Sequence, residues 1–257
     1  MIHVRLKLSR LLDNLPLRPK ARIKNFGRRL GLDIHVYGPR HNADLRLVHF
    51  LRMHAVDLVI DVGANRGQFA KGLLTNGYSG RLVSFEPLPN AHTQLIAEAK
   101  TFEGQWEVAP AMALSDEAGF AEFQITHSDT SSSLLQPTDA FVSVLPQVAI
   151  SSTLEIQTQC LDTAALPYIS KAAKPFLKLD VQGTERKVLD GGGETLSKCC
   201  GAIVEICTEE LYHGQSTIQE VLAVLLSAGF EVWDISSAYR NARTHRLGAI
   251  DITCFRP

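Results

Sequence analysis

Residues 56–67 read VDLVIDVGANRG, and this stretch decides the fold. An apolar run of strand length ends at Asp61, the glycines Gly63 and Gly67 follow four residues apart, and a helical pattern begins at Gln68. A strand, a glycine turn and a helix in this order form the first half of a nucleotide-binding βαβ unit. The glycines let backbone approach a ligand, and the start of the helix offers unpaired N–H groups. The stretch therefore predicts an α/β protein with a nucleotide-like ligand.

The spacing of the two glycines argues against a dinucleotide. That ligand favours G-x-G-x-x-G, whereas residues 63–67 lack both the close glycine pair and the third glycine. A carboxylate at Asp61 would repel a diphosphate but suits a ligand with an ammonium or sulfonium group. A second predicted strand, residues 81–86, ends in Glu86, placed to accept hydrogen bonds from ribose hydroxyls. Together the two acids favour S-adenosylmethionine (SAM).

Two strings, DVGANRGQF at residues 61–69 and SFEPLP at residues 84–89, resemble the motifs of class I SAM-dependent methyltransferases. Their wording is similar to that of the FkbM-type branch. A third string, KLDVQGTE at residues 178–185, resembles the second diagnostic string of that family. The resemblance covers residues 44–257 and implies an α/β, Rossmann-like fold. Its features are a mixed seven-stranded sheet, a C-terminal antiparallel hairpin and helices on both faces.

The strand-end acids and the resemblance together predict the cofactor site. The third predicted strand covers residues 106–109. In this fold class the turn after that strand lies against the adenine edge, so Ser115 and Asp116 are expected to accept from the adenine amino group. A capped turn that bends at Gly119 is the alternative reading of this pair. The resemblance also places Asp180 at the motif IV position, beside the transferable methyl group. The full predicted set is Asp61, Gly63, Asn65, Gly67, Glu86, Pro87, Ser115, Asp116 and Asp180.

Lys178 interrupts an otherwise apolar strand pattern over residues 175–179. A buried ammonium group needs a partner, because its charge is costly outside water. One explanation for Lys178 is that it pairs with a neighbouring acid for purely structural reasons. The other is that it belongs to the functional site.

Catalysis needs a base, because a sugar hydroxyl is a poor nucleophile at neutral pH. Asp180 and Glu205 follow strands that the fold makes neighbours, and His213 comes shortly after; His127 is a weaker candidate. A Ser-Ser-Leu string recurs in the FkbM-type family, so the resemblance implies that Ser131, Ser132 and Ser133 lie near the substrate. An Mg²⁺ ion held by Asp180, Glu205 and a histidine stays open as an alternative, although no strong ligand spacing supports it.

Composition predicts one ordinary globular domain. The chain has 257 residues, 45% hydrophobic and 21% charged, with a formal net charge of −1, and nothing in it suggests nucleic acid as a partner. Five cysteines without a C-x-x-C pair indicate reduced thiols rather than a disulfide frame or zinc site. No apolar run approaches ~18 residues, so no transmembrane helix is expected and a cytoplasmic location is favoured.

Charge is nonetheless unevenly distributed. Residues 1–40 hold ten Lys/Arg against two acids, a balance of +8, whereas the remainder holds sixteen against twenty-five, a balance of −9. We therefore expect a basic helical arm over residues 1–43 and the methyltransferase domain over residues 44–257. The arm, with helix breaks at Pro16 and Pro19 and a helix from about Lys20 to Leu30, suits an anionic membrane surface or an acyl-bearing substrate. A packing helix or a homo-oligomer arm is the alternative.

The function predicted on these grounds is SAM-dependent O-methylation of a small-molecule hydroxyl. A sugar, in particular the sugar of a glycolipid, is favoured by the basic arm, and a polyketide-like acceptor is the other choice. An NAD-type oxidoreductase is disfavoured by the glycine pattern. A non-catalytic partner protein of the same fold is disfavoured by the intact Asp61, Gly63, Glu86 and Asp180.

Overall fold

The computed structural model describes residues 17–257. The chain divides into two compact units, with the border in the sequence between Phe50 and Leu51. That point falls inside helix α2 (Ala43–Met53), so the border predicted at residues 43 and 44 lies at the first residue of this helix. No helix in this part of the chain is long and apolar enough to cross a membrane.

The first unit contains helix α1, Leu17–Arg29. The predicted break at Pro19 is wrong, because Pro19 lies in the first helical turn, where its missing N–H costs nothing. The other predicted break, at Pro16, lies outside the described residues. Gly31 ends the helix as expected: its φ of +73° is the left-handed conformation that closes helices, and its N–H donates to the carbonyl of Arg28 at 3.1 Å.

A seven-stranded sheet forms the centre of the second unit, in the order β3-β2-β1-β7-β8-β10-β9. The first five strands in this order are parallel, and β10 runs antiparallel to both β8 and β9. This confirms the predicted mixed sheet with its C-terminal antiparallel hairpin. The strands are β1 Leu58–Val62, β2 Arg81–Phe85, β3 Trp106–Val108, β7 Pro175–Leu179, β8 Gly201–Cys207, β9 Glu231–Arg240 and β10 Leu247–Phe255.

Helices alternate with these strands along the chain. They are α3 Gln68–Thr75, α4 Pro89–Ala99, α5 Asp139–Val144, α6 Leu161–Ile169, α7 Glu185–Asp190, α8 Gly193–Lys198 and α9 Ile218–Ser227. Thr217 caps α9 in a reciprocal capping box with Glu220.

A second, three-stranded sheet was not foreseen. It joins β4 Ala113–Ser115, β6 Ile150–Cys160 and β5 Gly119–Thr126 in that order, with β5 antiparallel to β6. Apolar and polar residues alternate over residues 120–125 of β5, which indicates a strand, but alternation alone does not show which sheet a strand joins.

The two central strands of the main sheet, β1 and β7, are buried at every position. Such strands read as nearly continuous apolar runs in parallel sheets, yet each of these carries one charge. Asp61 and Lys178 lie directly opposite one another, and Lys178 Nζ is 3.0 Å from Asp61 Oδ1. Burial opposes the charge on Lys178, but the carboxylates of Asp61 and Asp180 more than offset it and raise its pKa.

Asp61 is also the centre of a polar ladder that crosses four strands. Trp106 on β3 donates its indole N–H to Ser84 Oγ on β2 at 2.9 Å, and Ser84 donates its hydroxyl to Asp61 Oδ2 at 3.0 Å. Lys178 on β7 completes the ladder and also donates to the carbonyl of Gly63 at 2.8 Å. The four side chains are at most 7% exposed, so this ladder fixes the lateral alignment of the strands inside the core.

We expect Lys178→Met to destabilise the protein by about 3–5 kcal/mol, because it leaves Asp61 as an unpaired buried charge. The double variant Asp61→Asn/Lys178→Met should recover more than half of that loss. The measurement is urea unfolding. Lys71→Met is the matched control: Lys71 also pairs with a carboxylate, Glu98 at 2.6 Å, but its side chain is 50% exposed, so about 1 kcal/mol or less is expected. Equal losses at both lysines would contradict this account of the ladder.

Candidate functional site

A cavity of about 290 Å³ opens at the carboxyl ends of β1, β2 and β7. Ligand sites in open α/β sheets lie at this edge, and the volume is near the lower end of the usual range of ~300–1,000 Å³. Three groups of residues line it: the turn after β1, an apolar wall, and polar residues from β7 and the loop after β5. These groups include Gly63, Asn65, Glu86, Pro87, Leu88, Met112, Ala113, Leu114, Phe123, Asp129, Thr130, Ser132, Lys178, Asp180 and Gln182.

The two glycines of the turn are required by packing. A Cβ on Gly63 would lie 1.8 Å from the carbonyl oxygen of Asp180, and one on Gly67 would lie 2.3 Å from the Trp106 ring. Both have positive φ, +75° and +86°. Gly63 and Asn65 line the cavity as predicted, whereas Gly67 does not. The glycine spacing therefore reports how closely β1 and the start of α3 approach their neighbours.

Glu86 provides a buried carboxyl group in the cavity wall. Its two oxygens accept the backbone N–H groups of Asn65 and Leu88, both at 2.8 Å. Burial raises the pKa of Glu86 to about 7, and these two hydrogen bonds act in the opposite direction. Each oxygen keeps acceptor capacity for a ligand hydroxyl, which is the role predicted for this residue.

Asp61 does not line the cavity, contrary to the expectation that its charge faces the ligand. It is fully buried, and its carboxylate is engaged by Lys178 and Ser84. The side chain that reaches the cavity from this pair is Lys178. The influence of Asp61 on a ligand is therefore indirect, through Lys178 and the turn at Gly63.

Ser115 and Asp116 also lie away from the cavity lining. The Ser115 hydroxyl donates to Asp116 Oδ1 at 2.8 Å, and a Cβ on Gly191 would meet the Ser115 carbonyl at 2.2 Å, so this turn packs against the segment after α7. The residues that line the cavity come just before it in sequence. With Phe123 and two residues after β2, they form an apolar wall. Of its members only Pro87 was in the predicted set, and sequence reasoning missed the others: Met112, Ala113, Leu114, Phe123 and Leu88.

The two predicted catalytic acids are joined by a glutamine. Gln182 Nε2 donates to Asp180 Oδ1 at 2.6 Å and to Glu205 Oε1 at 3.2 Å. The Tyr212 hydroxyl donates to Gln182 Oε1 at 2.7 Å. Asp180 and Gln182 line the cavity, whereas Glu205 lies behind them. Gln182 belongs to the third quoted string, but nothing in sequence links it to Tyr212.

Glu205 differs from Asp180 in its surroundings. Burial, followed by the charges of Asp180 and Asp251, raises the pKa of Glu205 well above its ordinary value. The Asp180 side chain, by contrast, is 32% exposed and reaches the cavity. Of the two acids, Asp180 is therefore the one that faces a ligand.

Neither histidine candidate reaches the cavity. His213 and His127 are both exposed at the surface and do not belong to the cavity lining. The backbone N–H of His213 donates to the carbonyl of Gln136, which holds this segment with its ring outside. Their catalytic roles have no geometric support.

The loop after β5 contributes Asp129, Thr130 and Ser132 to the cavity wall, while Ser131 and Ser133 do not line it. Ser133 Oγ instead donates to the carbonyl of Gln182 at 2.8 Å, and the carbonyl of Ser131 lies 3.0 Å from the Tyr212 hydroxyl. In the same loop Asp129 forms an ion pair with Arg66, with 2.5 Å between Asp129 Oδ2 and Arg66 Nη2.

The alternative of an Mg²⁺ ion held by Asp180, Glu205 and a histidine has no support within residues 17–257. No group of three or more His, Cys, Asp or Glu in this range is arranged to hold a metal ion. The amide nitrogen of Gln182 occupies the position between Asp180 and Glu205, and an N–H donor does not coordinate a cation.

The sheet order, its antiparallel hairpin and the acid-tipped cavity define a Rossmann-like SAM-dependent methyltransferase. The family model of the methyltransferase FkbM domain matches residues 61–232, about two thirds of the chain, and the chain belongs to this family. The match confirms the resemblance carried by the three strings.

Individual relatives are distant. The 2-O-methyltransferase NoeI of Sinorhizobium fredii is 28% identical over 186 residues, which are 66% of this chain and 71% of that protein. Magnesium protoporphyrin IX methyltransferase (ChlM) from Synechocystis PCC 6803, solved with bound SAM, is 11% identical with a TM-score of 0.46, covering 95% of this chain and 100% of that one. Precorrin-6y C5,15-methyltransferase from Geobacter metallireducens is 10% identical with a TM-score of 0.44, covering 83% and 88%.

The cavity residues fit this cofactor. Glu86 would hold ribose hydroxyls through its carboxyl oxygens, and the apolar wall around Leu114 and Phe123 would suit the flat face of a purine. Asp180 would lie near the sulfonium group, since the charge of Asp61 is already balanced by Lys178.

We expect SAM affinity to rise about tenfold between about pH 6 and about pH 8, because ribose hydroxyls need the ionised form of Glu86 and its pKa is about 7. The sign follows from the raised pKa: the free protein holds a proton on this acid below pH 7, and binding must then displace it. Titration calorimetry across this range measures the effect. Glu86→Ala should bind SAM more weakly and lose this part of the pH dependence. Any pH dependence that remains in this variant comes from other groups, including those of SAM itself, and can be subtracted. An equal slope in both proteins would show that Glu86 is not the group.

Proposed function

We propose that the chain transfers the methyl group of SAM to a hydroxyl of a sugar, with Asp180 as the general base. The observation that carries the proposal is the Asp180 carboxylate in the wall of the same cavity as Glu86. The name of the related NoeI, a 2-O-methyltransferase, supports transfer to oxygen.

When bound, SAM supplies a methyl group that is already activated, so the chain has to orient the acceptor and take its proton. Asp180 Oδ1 is held by Gln182 at 2.6 Å, and Oδ2 lies 3.8 Å from Lys178 Nζ. These contacts orient the carboxylate while leaving it exposed to the cavity. A hydroxyl placed against it would give its proton to Asp180 as its oxygen bonds the methyl carbon, while the bond from that carbon to the sulfur of SAM breaks and S-adenosylhomocysteine leaves.

Gln182 holds the geometry of the two acids. With the Tyr212 hydroxyl 2.7 Å from its Oε1, the amide turns its N–H₂ group towards Asp180 and Glu205. Its backbone φ of +53° is rarely adopted by a side-chain-bearing residue, and the hydrogen bond from Ser133 to its carbonyl supports that conformation. Burial and the neighbouring charge of Asp180 raise the pKa of Glu205, which lessens the repulsion between the two acids.

A polyol acceptor suits the polar side of the cavity better than a polyketide-like one. Asp129, Thr130, Ser132 and Gln182 present oxygens and an amide there, opposite the apolar wall. Closely spaced hydroxyls can pair with such groups, whereas an extended apolar acceptor would leave them unpaired.

We expect Asp180→Asn to lower kcat by about 10²–10⁴-fold, the usual contribution of a general base, with SAM affinity changed only a few-fold. The assay incubates the protein with deuteromethyl-labelled SAM and extracted oligosaccharides and glycolipids, and follows labelled products by mass spectrometry. Asp190→Asn is the control, since that exposed acid pairs with Arg186 on the surface. Full activity in Asp180→Asn would assign the base elsewhere, and a label on nitrogen or carbon would overturn O-methylation.

We expect Tyr212→Phe to lower kcat about tenfold, with little change in SAM affinity, because it frees the Gln182 amide to rotate away from Asp180. Tyr239→Phe is a closely matched control. Both tyrosine rings pack edge-on against Phe141, at 5.8 and 5.7 Å, but only the Tyr212 hydroxyl reaches Gln182. If the two variants lose activity equally, the effect comes from packing and the positioning role is wrong.

A further inference from the structure

Helix α1 in the first unit has a composition unlike that of the other helices. Its thirteen residues, LRPKARIKNFGRR, include six Lys/Arg and no acid, with Arg28 and Arg29 in its last turn. Cations in the last turn complement the helix dipole, but six of them on thirteen residues exceed what helix stability needs. An anionic partner is the simplest reason for such a helix.

This helix and the residue after it expose large apolar side chains. Ile23 and Phe26 in α1 and Leu30, which follows its last residue, are 38%, 64% and 61% exposed. At ~100° per residue Ile23 and Phe26 lie about 60° apart on one side of the helix, and Leu30 continues this stripe in the closing turn. Arg22 and Arg29 are exposed and lie together along the Phe26 side of the stripe. We call Ile23, Phe26 and Leu30, with the adjacent Arg22 and Arg29, the α1 face.

We propose that the α1 face binds the surface of an anionic lipid bilayer, with the helix lying in the plane of the interface. The apolar stripe enters the boundary between headgroups and acyl chains, and the arginines meet the anionic headgroups. A nucleic acid would satisfy the charges but leave Phe26 and Leu30 in water. An anionic bilayer accommodates both halves of the face, which is why we commit to it.

Two independent contributions follow from this geometry. Each arginine near an anionic surface strengthens binding by about fivefold at low salt, and this part is screened when the salt concentration rises. Burial of the Phe26 ring strengthens it by about tenfold or more and is insensitive to salt. The combination of a salt-sensitive and a salt-insensitive part distinguishes an interfacial helix from a purely electrostatic contact.

The test is co-sedimentation of the full chain with sucrose-loaded phosphatidylcholine vesicles, with and without about one third phosphatidylglycerol, at about 0.05 M and about 0.5 M salt. We expect binding to the anionic vesicles at low salt and a large loss at high salt. Arg22→Gln/Arg29→Gln should weaken binding about 25-fold, and Phe26→Ser about tenfold. Lys100→Gln/Lys187→Gln, which removes two exposed cations from the second unit, should bind like the unchanged protein.

Three results would overturn the proposal. These are no sedimentation with anionic vesicles at low salt, an equal loss in the Lys100/Lys187 control, or full binding by Phe26→Ser. The last result, together with equally tight binding to a DNA duplex, would assign the face to nucleic acid. Circular dichroism and SAM affinity confirm that each variant is folded, so a misfolded variant is not counted as a loss of binding.

Discussion

The buried ion pair between Asp61 and Lys178 is the constraint on which the rest of the site depends. Neither charge is stable in the core without the other, so β1 and β7 must stay in the register that brings them together. Lys178 also donates a hydrogen bond to the carbonyl of Gly63 and so stabilises the turn after β1, which lines the cavity. Because Asp61 is committed to this pair, the acids that line the cavity are Glu86, Asp180 and Asp129, and Asp129 pairs with Arg66.

Three carboxyl groups around this cavity differ in chemistry because they differ in surroundings. Burial raises the pKa of Glu86 to about 7, close to where a ligand hydroxyl can shift its ionisation. Burial beside Asp180 and Asp251 raises the pKa of Glu205 well above its ordinary value. Asp180 reaches the cavity, is oriented by Gln182 and is partly exposed. The environment, and not the residue type, thus distinguishes the three carboxyl groups.

The family resemblance was sufficient for the mixed seven-stranded sheet with its antiparallel hairpin, and acids and glycines marked where the buried strands β1, β2 and β7 end. The sequence was insufficient for the direction of Asp61, because a parallel strand buried on both faces has no polar side to orient it. The cavity-lining residues Met112, Ala113 and Leu114 lie one to three residues before the predicted Ser115, a shift that periodicity cannot resolve in a three-residue strand. The link from Gln182 to Tyr212 joins residues thirty positions apart, and only the folded chain brings them together.

Charge segregation connects the two units in function without requiring any particular arrangement of them. With a formal net charge of −1, the whole chain has no overall attraction to an anionic surface, and residues 41–257 alone, at −9, would be repelled. In salt, however, charges act over only about 10 Å, which is much less than the span of a 13-residue helix at ~1.5 Å per residue. A surface therefore senses the local cations of α1 rather than the sum over the chain. Concentrating the positive charge in one segment lets the catalytic unit keep the acids that a sulfonium cofactor needs, while a membrane contact through α1 remains attractive.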